Sequence, residues 1–167
     1  MPKPISLQRE LLQSRPFRSA AEEASLGVLR TASMIRRALA HVVEPSGITP
    51  PQYNVLRILR GAGAAGLPTL VVRDRLLEEA PGITRLLDKL DLAGYVRRER
   101  STPDRRQVMC YVTPKGLALL KRLDPLVGST HHFGVTGLKL GEQRTLIRLL
   151  DRARAAMRRV SASQQRK

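Results

Sequence analysis

The 167-residue sequence predicts a mainly α-helical chain with a small β-hairpin wing, a winged helix-turn-helix lobe flanked by N- and C-terminal helices. Three observations predict this. Two short segments with helical apolar spacing, over about 69–77 and 81–94, are separated by a turn. Directly after them the apolar period falls from 3.6 to 2, which reads as a hairpin. On both sides lie longer helical patterns, each with a single apolar stripe.

The first long helix spans about 18–43. Ala21, Val28, Ile35 and Val42 recur every seven residues with Ala24 and Ala38 between them, and Pro45-Ser46-Gly47 ends the pattern. Thr49-Pro50-Pro51-Gln52 reads as a capping box with proline at the first helical position, opening a helix that carries Tyr53, Leu56 and Leu59. Gly61 to Gly66 interrupts it. Thr69 is the expected cap of the next short helix, with Leu70, Val71, Val72, Leu76 and Leu77 as its apolar residues. Glu78-Glu79-Ala80 is the turn, Pro81 the start of the following helix, and Gly94 its C-terminal glycine. In that helix Ile83, Leu86, Leu87 and Leu90 face the core. Tyr95–Arg100 and Val108–Val112 are the strands, joined through a charged tip, Ser101-Thr102-Pro103-Asp104-Arg105-Arg106. Thr113-Pro114 caps a further helix with Leu117, Leu120, Leu123 and Val127 on its apolar side, followed by a loop or a frayed end over 128–137. A last helix from about Glu142 carries Leu146, Leu149, Leu150, Ala153, Met157 and Val160. Residues 1–17 read as a flexible arm and 161–167 as a flexible basic tail.

Charge directs the functional reading. Thirty Lys+Arg against fourteen Asp+Glu give +16, and 24 of the thirty are arginine. Such an excess points to a polyanion, nucleic acid before an anionic membrane surface. Hydrophobic residues at 42% and charged residues at 26% exclude a mostly disordered or a collagen-like chain. The single cysteine, Cys110, excludes an internal disulfide. The first ten residues lack the apolar run of a signal peptide, and no stretch of about 18 apolar residues occurs, so a cytoplasmic protein is expected.

A helix fits the major groove of B-DNA, and the residues near its N-terminus reach base edges. With Ile83, Leu86, Leu87 and Leu90 inward, Gly82, Thr84, Arg85, Asp88 and Lys89 face outward. Arg85 suits guanine, Thr84 suits a base or a thymine methyl, Gly82 permits close backbone approach, and the Pro81 ring can pack on a sugar or base. Arg105 and Arg106 at the hairpin tip suit the narrow, strongly negative minor groove of A·T-rich DNA. Asp104 repels phosphate, so it reads as a buttress orienting one of the two guanidiniums.

Other motifs carry less. Gly61-Ala62-Gly63-Ala64-Ala65-Gly66 matches a dinucleotide fingerprint letter for letter, but it follows a helix rather than a strand and reads as a flexible loop. His131-His132 point in different directions on a helix and make no metal pair. Cys110, alternating inward with Val108 and Val112, reads as a small core hydrophobe. No catalytic constellation is present, so no enzymatic activity, metal or cofactor is expected.

The two outer helical regions, 18–44 and 114–160, leave apolar stripes that one chain has no obvious way to cover. A symmetric dimer would bury them and set two reading helices about 34 Å apart, one duplex turn, for a pseudo-palindromic site. Residues 48–113 form the DNA-binding region. Arg144, Arg148, Arg152, Arg154, Arg158 and Arg159 of the last helix form a solvated face that adds to the long-range field.

With these pieces placed, residues 18–160 resemble the MarR family of bacterial transcriptional regulators. The resemblance rests on the segment 48–56 (ITPPQYNVL), on 81–90 (PGITRLLDKL), and on Asp104-Arg105-Arg106 with Thr113-Pro114-Lys115-Gly116 closing the hairpin. It implies a triangular homodimer that represses by occupying a promoter, with Arg106 in the minor groove and Asp104 supporting the wing. It also implies a small, often aromatic anion as effector, held between the dimer helices and the DNA-binding lobe. The N-terminal-helix cysteine of oxidant-sensing members is missing, and the chain is poor in the ligands of zinc-sensing ones. The expected function is a sequence-specific double-stranded DNA-binding regulator, a dimeric repressor relieved by a small molecule. The competing readings are a nonspecific or architectural nucleic-acid-binding protein and a winged helix used as a protein-interaction module.

Overall fold

Ser19 starts the first long helix by accepting the Glu22 N–H on its hydroxyl at 3.2 Å, and the helix (α2) runs Ala20–Val43. A helical turn, Leu7–Glu10 (α1), precedes it within the segment read as an arm, and Glu10 holds Arg30 of α2 at 2.7 Å. The computed structural model describes residues 5–78, 82–101, 104, 106–133 and 137–164. It divides into two compact units, Met1–Thr130 and His131–Lys167.

In the first unit a 3-10 turn, Glu44–Ser46, leads from α2 to α3, Pro50–Ala62. The expected capping box is present: the Thr49 N–H donates to Gln52 Oε1 at 2.9 Å, and Gln52 is buried by that role. Val55, Leu56 and Leu59 of α3 are fully buried. The glycine-rich stretch is not a free loop. Gly61 and Ala62 still belong to α3, and Gly63–Ala65 forms a 3-10 turn.

A strand absent from the sequence reading follows, Leu67–Pro68 (β1). It leads into α4, Thr69–Asp74, and then α5, Ile83–Leu92. Two boundaries differ from expectation. Thr69 is not the cap of α4, because its hydroxyl donates across the sheet to the Val108 carbonyl at 3.1 Å. The helix begins after Pro68 and ends at Asp74, so Leu77 lies beyond it and is 81% exposed, while Leu70, inside it, is 60% exposed. The turn after α4 is held by the Leu77 N–H donating to Asn54 Oδ1 at 3.0 Å.

Ile83, Leu87 and Leu90 are the buried face of α5. Gly94, at φ 74°, closes it with two bonds of a Schellman motif, Gly94 N–H to Asp91 O and Tyr95 N–H to Leu90 O. Strands Val96–Arg100 (β2) and Val108–Val112 (β3) pair antiparallel with Arg98 opposite Cys110, and β1 pairs with the far edge of β3, giving the order β1-β3-β2. Helix α6, Pro114–Phe133, continues past Gly128 with Pro125 inside it. It contributes Leu119, Leu120, Leu123 and Val127 to the same core cluster as α3, α5 and Cys110, whereas Leu117 is 41% exposed. An Arg60–Asp124 pair at 2.7 Å joins α3 to α6.

On α2 only the C-terminal end reaches the core, through buried Val43 with Leu39 and Val42 packed against the cluster. Val28, Leu29, Met34 and Ile35 are exposed.

The second unit is built on α7, Leu140–Gln164, whose first turn is fixed by the Lys139 N–H donating to Glu142 Oε2 at 2.6 Å. Ile147, Leu149, Met157 and Val160 are exposed along it.

Candidate nucleic-acid interface

The core face of α5 dictates what the other face presents. Burial of Ile83, Leu87 and Leu90 leaves Gly82, Thr84, Arg85, Asp88 and Lys89 exposed together. Gly82 stands at the N-cap in a left-handed conformation, φ 96°, so the helix opens one residue after the glycine. Pro81, the expected first residue of the helix, lies outside the described residues, as does Arg105 of the wing.

The hairpin tip is organised by one carboxylate. Asp104 Oδ1 accepts the Arg106 N–H at 3.0 Å and Oδ2 accepts Gln107 Nε2 at 3.0 Å, while the Asp104 carbonyl accepts the Gln107 N–H at 2.9 Å. The Ser101 N–H donates to Gln107 O at 2.9 Å and shuts the loop. Among the described residues Asp104 therefore acts on the backbone that carries Arg106 and on the Gln107 side chain, where the sequence suggested a guanidinium. Arg106 is left exposed.

The strand arginines divide by face. Arg97 lies on the outer face, 4.6 Å over the Tyr111 ring and paired with Glu99. Arg98 points the other way, beside Cys110, and pairs with Asp88 of α5. By sequence alone Arg98 is one of three arginines, with Arg97 and Arg100, on the strand that leads into the wing. The period-2 pattern that placed Val96 and Cys110 inward was the signal that could have separated it.

Cys110 is fully buried, 3.5 Å from the Thr69 hydroxyl, and burial pushes its thiol above the ordinary range. A raised folded value stabilises below the ordinary thiol pKa and is lost as pH rises through the folded value. We expect Cys110 to resist a thiol reagent in the native protein at pH 8 and to react once denaturant unfolds it. Fast native labelling would show that β3 opens readily.

Among the described residues, no three or more His, Cys, Asp or Glu side chains gather as a metal site, and no helix is long and apolar enough to cross a membrane. A cavity of about 540 Å³ is lined by Leu12–Arg18 and Glu22 and includes none of the exposed α5 residues named above, nor Arg106.

Comparison with known proteins agrees with this geometry. A family model described as MarR family matches residues 46–107, from the turn before α3 to the wing. The transcriptional regulator TtmR of Methylorubrum extorquens (strain PA1) is 33% identical over 129 residues, which are 77% of this chain and 64% of that protein, just under two thirds of its length. The MarR transcription factor from Planctomyces limnophilus is 37% identical, with a TM-score of 0.63 over 81% of this chain and 98% of that one. A mutant of MarR from E. coli, solved with operator DNA, is 26% identical, with a TM-score of 0.71 over 88% of this chain and 97% of that one. With the winged helix-turn-helix, the capped wing and these likenesses together, the chain belongs to the MarR family of transcriptional regulators.

Proposed function

We propose that the chain is a sequence-specific double-stranded DNA-binding regulator that acts as a homodimer and represses by occupying its operator. The observation that carries this is the joint exposure of Thr84, Arg85 and Lys89 on α5 and of Arg106 on a wing whose backbone Asp104 pins. The first set suits base edges and phosphates in the major groove, the second the minor groove. Pro81, Gly82 and Arg105 complete the proposed contact set. Phosphate contacts supply most of the affinity, and Arg85, Thr84 and the wing supply the preference among sequences.

The exposed apolar residues of α2 and of α7 support dimerisation through the regions 18–44 and 114–160, with 48–113 as the DNA-binding region and 1–17 and 161–167 as arm and tail. Such stripes bury well against a second copy. A DNA partner of this kind places the protein in the cytoplasm, with a role as regulator rather than enzyme. A small-molecule effector, taken from the family, acts by binding one dimer geometry better than the other.

The test is binding of the purified protein to duplex from its own gene's upstream region and to a scrambled duplex at about 150 mM salt. A preference above roughly 10³ is the specific outcome. A ratio near one, with steep loss of affinity as salt rises, favours a nonspecific binder instead, the reading that +16 alone would suggest. Within the specific complex, Arg85→Ala is expected to narrow the ratio by about tenfold. A uniform loss on both duplexes would make Arg85 a phosphate contact.

A further inference from the structure

We infer that the Asp88–Arg98 pair is a strut that sets the wing against the reading helix, and that Arg98 positions the DNA-binding surface without touching DNA. This rests on the DNA-binding reading above. Asp88 sits on the exposed face of α5, three residues after Arg85 and next to Lys89, where a lone carboxylate would face phosphates. Its partner comes from β2, the strand that carries the wing.

Arg98 is not shaped like a phosphate contact. It lies opposite Cys110 on the core-facing side of the hairpin, and its side chain is 20% exposed against 54% for Asp88. Its Nε is buried with no hydrogen-bond partner, so the guanidinium has given up water on one edge and spends its outer edge on Asp88. The pair neutralises the carboxylate and joins the two elements that must present base-reading and groove-reading groups at one fixed angle. The outer-face arginine of the same strand, Arg97, stacks on Tyr111 and has no such link to α5.

The experiment measures affinity and its salt slope for Asp88→Asn, Arg98→Met and the charge-neutral double variant, on the duplex the wild-type protein binds best, well below each melting midpoint. A strut predicts that Asp88→Asn weakens binding by about three- to tenfold and Arg98→Met by about tenfold or more. The double variant should then be no weaker than Arg98→Met, and its salt slope should equal that of the wild type. A phosphate-contacting Arg98 predicts the reverse: removing the carboxylate strengthens binding, and the double variant loses about 0.9 of slope. Unchanged or tighter binding by Asp88→Asn overturns the inference, and so does that loss of slope. If Arg98→Met fails to fold, the sign of the effect at the exposed Asp88 still decides. Failure of the wild type to discriminate between duplexes sinks the sequence-specific reading instead, and the sign at Asp88 is then read on whichever duplex binds.

Discussion

Gly116→Ala is expected to destabilise the fold by about 3 kcal/mol, lowering the melting midpoint by roughly 6–12 °C for a chain of this size. Gly116 lies in the first turn of α6, where that helix is stitched to the end of α5. The Thr113 N–H donates to Tyr95 O at 3.0 Å, the Thr113 hydroxyl donates to Gly94 O at 2.7 Å and accepts the Gly116 N–H at 3.1 Å, and Lys115 Nζ donates to Ala93 O at 2.8 Å. A Cβ at 116 would overlap the Tyr95 carbonyl oxygen and come within 2.9 Å of Val112 Cγ2. The obstacle is backbone, so it cannot swing aside as a flexible side chain would. The sign makes the result decisive, because alanine for glycine in an open helix position stabilises by up to about 1 kcal/mol. Calorimetry on the purified variant reads it directly. An unchanged or raised midpoint would mean that α6 and α5 are not held together as described.

Arg106→Ala is expected to weaken operator binding by about 1–3 kcal/mol, a loss of about five- to 150-fold, with little change in stability because Arg106 is exposed. The side chain has no role in the core, so the loss reports a contact with DNA. Its presentation depends on Asp104, whose carboxylate holds the Arg106 N–H and the Gln107 side chain and so fixes where the arginine leaves the loop. Anisotropy titrations of wild type and variant on the same duplex, with melting curves as the control for folding, provide the check. Equal affinities would remove the wing from the interface and leave α5 to read DNA alone.

Much of this was legible in the chain. The capping box at Thr49, the inward face Ile83, Leu87 and Leu90, the closing glycine at 94 and the change of period into β2 and β3 all stand where local chemistry put them. These signals are local: a cap, a turn or an alternation is set by residues within a few positions of one another. The same locality made the outward set Gly82, Thr84, Arg85, Asp88 and Lys89 readable, since the face a helix exposes follows from the face it buries.

Where the reading went astray, a distant partner was responsible. Thr69 has the chemistry of a cap, but a strand carbonyl 39 residues away takes its hydroxyl. Leu77 has the chemistry of a helical apolar residue, yet α4 ends at Asp74 and the Leu77 N–H is taken by Asn54, 23 residues away. The two-residue strand β1 is too short to show a period and exists because β3 offers it an edge. Arg98 belongs to the strand that leads into the wing, but its partner, Asp88, appears only when the hairpin folds beside α5.

The sequence by itself determined the order of elements, the face each helix buries and the basic character of the surface, because propensity, capping and periodicity act over short stretches of chain. The tertiary structure alone decided which arginine is free and which is tied to a carboxylate, and which glycine is pressed against a carbonyl. Those choices depend on contacts between segments whose separation along the chain carries no pattern.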